Sequence, residues 1–392
     1  MLLAPLSCKV THPARGALAV ALCALIVAAA SSAQTPAVPP AKPTANYWIW
    51  VGAESADLLH RVRFGPDGIE VEKTMTVGRY ATETEGPHGL AISRDGRHLH
   101  LTTGHGLPDG MYWKYVLGPD TLAGQEIPLG MFPATLDVTP DGLYAFVVNF
   151  NLHGEHVPST VSVVYTPDNI EVAQIETCTM PHGSRLNPAG TLQYSACMMD
   201  DQLVEVDTRT FAVARRFSVA QGSEAAIAAG HAVAAHGGHG EMPAPTCSPT
   251  WAQPSANGDR VFVACNRSDE ILEIETSGWK LLRRLKTGRA PYNLAVTPDG
   301  RLLVVTLKAG RAVEFFDITS GSSLARTETS TTVVHGVVVS PDSKYAFVSV
   351  EGVGAEPGKV DVFDLATFQR VASAEVGQQA SGIAFWRMQP GR

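Results

Sequence analysis

Three histidines occupy equivalent places in the chain. His88, His182 and His335 each stand directly before a glycine, in the segments PHG, PHG and VHG. Neutral imidazole is the commonest metal-binding side chain, and three of them with an open fourth position suit zinc or copper. A half-buried imidazole can equally hydrogen-bond backbone or water at the mouth of a channel. Further histidines follow in loop-like sequence: His105, the H-x-x-H pair His153 and His156, and His236 and His239 within HGGHGEMPAP. Met198 and Met199 and the thiols at Cys178 and Cys197 add soft donors, which favour copper over calcium or magnesium. Acids are scattered, and Glu85 is the one beside the repeated histidine position. No G-x-S-x-G elbow, Walker loop or C-x-x-C-H haem site occurs.

The cysteines have a second use. With Cys8 and Cys23 in the N-terminal stretch set aside, four remain. Cys178 and Cys197 flank one turn (Asn187-PAG), and Cys247 and Cys265 flank another (Ser255-ANG). An even count in an oxidising compartment favours two disulfides, Cys178 with Cys197 and Cys247 with Cys265, each expected within one unit of the fold.

What positions these residues is a repeat. Segments beginning Pro87-HGLAISRDG, Pro133-ATLDVTPDG, Pro181-HGSRLNPAG, Pro249-TWAQPSANG, Pro291-YNLAVTPDG and Val334-HGVVVSPDS recur at steps of 42 to 48 residues, with one step of 68. In each, a short alternating strand meets a turn in which Pro presets φ and Gly accepts a positive φ. A more apolar second strand and two amphipathic strands follow. Four short strands per repeat and little helical periodicity predict an all-β, seven-bladed β-propeller over 46–388. Gln379-ASGIAFW begins a seventh unit that the chain does not finish, and Tyr47-WIWVGAES supplies its second strand. The last blade is therefore expected to be closed by the N- and C-terminal strands, which removes an open sheet edge. The long step holds an Ala-, Gly- and His-rich insertion, 221–246, whose start (Ser223–Ala235) is expected to form a helix. The repeat also sorts the histidines. Loops into the first strand and out of the second share one face, so His88, His182, His335, His105, His153, His156, His236 and His239 are expected together there.

The recurring P-x-G-x-x-x-[ST]-P-D-G-x-x-x-x-V pattern resembles the YVTN-type propeller repeat of exported bacterial and archaeal proteins. Phe146-VVN and Phe262-VAC are its nearest forms of the tetrapeptide. The resemblance implies the propeller fold, but its members differ in function.

Lys9, Arg15, the apolar run Gly16–Ala30 and Ser31-Ser32-Ala33 read as a cleaved signal peptide over 1–33, followed by a Pro/Ala-rich linker, 34–45. That predicts a periplasmic or secreted monomer with no membrane span after cleavage. The formal charge of −8 becomes −10 without Lys9 and Arg15, which argues against a nucleic-acid partner. The expected role is a binding or interaction protein that holds a metal, a small ligand or a protein partner on its His-rich face. The alternatives are a copper- or other metal-dependent oxidoreductase, or a lactonase-like hydrolase, with its site at the channel mouth.

Overall fold

A computed structural model describes residues 39–105, 110–228 and 244–391. Seven antiparallel sheets of four principal strands follow one another around an axis, with almost no helix. The propeller expectation holds. The signal-peptide reading and the start of the linker lie outside the described residues, as do His231, His236 and His239.

The closure is also as expected. The C-terminal strand Ala380–Pro390 is innermost in its sheet and pairs with Ala45–Ala53, from Ala45 opposite Pro390 to Ala53 opposite Ala380. Leu58–Gly65 and Gly68–Thr76 complete that blade. Numbered from the innermost strand Pro87–Ile92, the shared blade is the seventh.

Burial explains the strand patterns. Second strands are covered on both faces by neighbouring blades, so they read as unbroken apolar runs, such as Leu302–Leu307, buried throughout. Outer strands face solvent on one side and alternate, as in Gly68–Thr76. Blades weld through shared clusters. Tyr47 and Phe64 of blade 7 pack edge-on against Tyr345 and Phe347 of blade 6.

Two expectations need correction. Within the insertion, Ala225–Ile227 is strand, pairing with Arg216–Ser218 as a fifth strand of blade 3. The free backbone edge of blade 3 offers hydrogen bonds that this segment takes up, and residues 229–235 of the expected helix lie outside the described residues. Both disulfides form between the expected partners, but Cys178–Cys197 is not within a blade. Cys178 still belongs to the outer strand of blade 2, where it pairs with Ser159, while Cys197 ends the second strand of blade 3. That bridge staples two blades. Cys247–Cys265 ties the segment entering blade 4 to the end of that blade's second strand.

Candidate functional site at the channel mouth

The repeat builds the site in two rings. The first holds the second residue of each innermost strand: His88, Ala134, His182, Thr250, Tyr292, His335 and Ser381. A belt of buried hydrogen bonds runs through it from blade to blade. His88 Nδ1 meets Ala134 O at 2.7 Å, the Thr135 hydroxyl donates to His182 O at 2.6 Å, and His182 Nδ1 meets Thr250 O at 3.0 Å. Thr250 then donates to Tyr292 O, Thr306 to His335 O, and Ser381 to Pro87 O, with His335 Nδ1 meeting Ser381 O at 3.1 Å. All seven junctions are bridged. The strands approach so closely that a Cβ at Gly382 would lie 2.0 Å from His88 O.

A carbonyl oxygen only accepts, so each Nδ1 carries a proton; in His182 and His335, which burial keeps neutral, Nε2 is then left as a lone pair. Those lone pairs converge on the axis. The His88 ring centroid lies 6.0 Å from that of His182 and 5.4 Å from that of His335. The Tyr292 hydroxyl sits 3.0 Å from His182 Nε2 and 3.2 Å from His335 Nε2. His88 Nε2 has no hydrogen-bond partner among the described residues.

The second ring is the residue just past each second strand: Glu54, Gly104, Phe150, Met198, Asn266, Lys308 and Glu351. Each donates its N–H to the carbonyl of the residue that opens the same blade, from Glu54 N on Gln379 O to Glu351 N on Val333 O. Those opening residues (Gly86, Phe132, Met180, Ser248, Ala290, Val333 and Gln379) all have φ between +47° and +68°. Such backbone costs about 1–3 kcal/mol for most non-glycine residues and gathers at functional sites.

Three charges of the second ring face the imidazoles. Lys308 Nζ lies 3.0 Å from Glu351 and 4.2 Å from the Tyr292 ring centroid. Burial opposes its charge, but Tyr292, Glu351 and Glu54 outweigh burial and hold its pKa above the ordinary value. Burial lifts the Tyr292 hydroxyl to about 12, so it stays a phenol. Burial also lifts Glu351 above the usual carboxyl range in spite of Lys308. Glu54 is buried too, yet His88, His105 and Lys308 overcome burial and keep its pKa low. Burial holds His182 neutral, down to about 3, and His335 well below its ordinary value, with neighbouring cationic groups adding to the effect.

Below the rings the axis is filled. Leu90, Leu136, Ile383, Trp251 and Arg185 close around a cavity of about 20 Å³, which admits one water. The Arg185 guanidinium lies 4.6 Å from the Trp251 ring centroid.

The structure brings together His88, His182, His335, His105 and His153. His105 bridges Glu54 and His153, and both imidazoles lie against Phe132. His156 is exposed and makes no hydrogen bond among the described residues. No group of three His, Cys, Asp or Glu side chains is spaced to hold a metal among the described residues. The thiols that suggested copper are joined as disulfides, and Met198 packs with Phe132 and Phe150. Glu85 is turned away from the mouth, its Oε1 capping the Arg79 and Tyr80 amides. The carboxylates at the mouth are Glu54 and Glu351. Glu54 and Lys308 escaped the sequence reading, although stepping one residue past each second strand would have found both.

Neither a family model nor a curated sequence matches the chain. Among solved structures, the periplasmic gluconolactonase of Pseudomonas aeruginosa superposes with a TM-score of 0.67 at 17% identity, over 87% of this chain and 99% of that one. A protein of unknown function from Desulfotomaculum acetoxidans gives 0.64 at 16% identity, over 86% and 98%. At such identity the likeness is one of fold. Among the described residues, no helix is long and apolar enough to cross a membrane.

Proposed function

We propose that the channel mouth is the active site of a hydrolase for small cyclic esters, working in the periplasm. The observation that carries this reading is His88. Its Nδ1 is held by Ala134 O, its Nε2 has no partner among the described residues, and it acts on the same carboxylates, Glu54 and Glu351, as the Lys308 ammonium. Those are the two groups that ester hydrolysis asks for. A neutral imidazole accepts the proton of an attacking water, and Lys308 stabilises the negative charge that develops on the carbonyl oxygen. Tyr292 and Glu351 hold Lys308 in place. Water adds to the carbonyl carbon, the ring C–O bond breaks, and the ring oxygen takes a proton to become the hydroxyl of a hydroxycarboxylate. The structural likeness to a periplasmic gluconolactonase, the two disulfides and the signal-like N-terminus support the same substrate class and compartment.

A binding role without turnover is the second reading. It is favoured by the Tyr292 hydroxyl, which already occupies two of the three inward Nε2 atoms. The test is to supply aldonolactones, gluconolactone first, and follow hydroxycarboxylate formation. The hydrolase reading expects turnover above the spontaneous rate, with a loss of about 10²–10³-fold in kcat for Lys308→Met. Saturable lactone binding with no turnover would favour the binding role instead.

A further inference from the structure

Hydrolysis of a lactone at neutral pH makes a carboxylate and one proton, since the product acid is ionised there. The general base must lose that proton before each new cycle. His88 lines the water-sized cavity on the axis, and the rim beside Glu54 offers a hydrogen-bonded route toward solvent.

A hydrogen-bonded path is present there. Glu54 is 3% exposed, and its Oε1 lies 2.6 Å from His105 Nε2. His105 Nδ1 lies 3.2 Å from Nε2 of His153, which is exposed to solvent. Both tautomers of His105 complete the path. While Glu54 is ionised, His105 donates its Nε2–H to it and accepts from His153; once Glu54 has taken up a proton, the Nδ1–H tautomer accepts from Glu54 and donates to His153. A group that can pass a proton in at one nitrogen and out at the other is what a relay requires.

The backbone makes room for it. Of the seven blade-opening residues with positive φ, only that of blade 1 is glycine. The six others show that this conformation admits a side chain. Gly86 differs because a Cβ there would lie 2.6 Å from His105 Cδ2 and 3.0 Å from Glu54 Cγ. The glycine is needed by the Glu54–His105 contact. Phe132 packs edge-on against the His105 ring, at 4.8 Å, and fixes its plane.

We propose that Glu54, His105 and His153 form a proton relay between the channel mouth and solvent, an inference that rests on the hydrolase reading above. The charged and titratable groups facing Glu54 are His88, His105 and Lys308, with Glu351 and Tyr292 within electrostatic reach. His153 has Glu155 and His156 beside it in its loop, both exposed. The balance closes: one water is consumed, one ester bond is broken, and one proton reaches the bulk through His153.

The test uses the mature protein with gluconolactone in dilute buffer, with and without added imidazole. His153→Gln is at the surface and should fold. It is expected to slow turnover by on the order of tenfold in dilute buffer, with recovery on adding imidazole. Gly86→Ala, whose backbone conformation six other blades tolerate, should show the same deficit and the same recovery. Wild-type rates in both variants, or a deficit that imidazole does not relieve, would overturn the relay while leaving the hydrolase reading intact. If the unaltered protein turns over no lactone, the hydrolase reading falls, and NMR titration of the histidines decides the relay. Coupled titration of His105 and His153 that shifts in Glu54→Gln supports it, and independent titration overturns it.

Discussion

The Tyr292 hydroxyl stands between His182 Nε2 and His335 Nε2, 3.0 and 3.2 Å away, with one proton for two acceptors. Both imidazoles donate Nδ1–H to backbone carbonyls, so neither Nε2 brings a proton of its own. The cluster is one proton short, with Glu351 Oε1 3.8 Å from His335 Nε2 as the nearest carboxylate.

Tyr292→Phe removes the shared proton and leaves buried lone pairs on both imidazoles. A buried acceptor without its partner costs about 1–3 kcal/mol, so the guanidinium unfolding midpoint should fall accordingly. An unchanged midpoint would mean that the hydroxyl is not shared between the two rings.

Acid should unfold the propeller through its buried histidines. His182 and His100 are pushed down by burial to about 3, and His335 lies well below its ordinary value. The unfolded chain therefore binds more protons than the folded one below about pH 6.5. The stabilisation is complete above that pH and is lost as pH falls toward 3, at about 1.4 kcal/mol per pH unit for each group. Thermal melts should show Tm falling through this window. A flat profile between pH 6.5 and 4 would contradict the buried neutral assignment.

Reduction should loosen the junction of blades 2 and 3. The Cys178–Cys197 bridge spans 19 residues, and closing a loop of that size contributes about 3 kcal/mol. The Cys178→Ser, Cys197→Ser double variant should lose about that much stability in denaturant titrations. Equal stability would mean the bridge constrains nothing that the blade packing does not.

Much of this was legible in the sequence because a propeller repeats its logic. The recurring segment starts from Pro87 to Val334, the turn residues and the apolar second strands indicate the blade count. The orphan strands at Tyr47 and Ala380 gave the closure. Equivalence also placed His88, His182 and His335 on one axis. What the sequence hid was of two kinds. Cys178 lies only three residues before the blade 3 opening, and nothing in its spacing shows that its backbone still pairs with Ser159 of blade 2. Glu54 opens a short 3-10 turn, Glu54–Ala56, and Lys308 sits in a turn, and each matters only because its second strand delivers it beside a histidine from another blade. The imidazoles' tautomers depend on carbonyls of the neighbouring blade, contacts that no local pattern records.

The most direct test of the account is the lactonase rate of His88→Asn. The asparagine amide nitrogen takes the place of Nδ1 and can keep the bond to Ala134 O, so the belt survives while the inward Nε2 is gone. The account predicts a folded protein whose kcat/KM for gluconolactone falls by about 10²–10⁴-fold relative to the unaltered chain. A His88→Asn protein as active as the original, or an original that hydrolyses no lactone above the spontaneous rate, would contradict it.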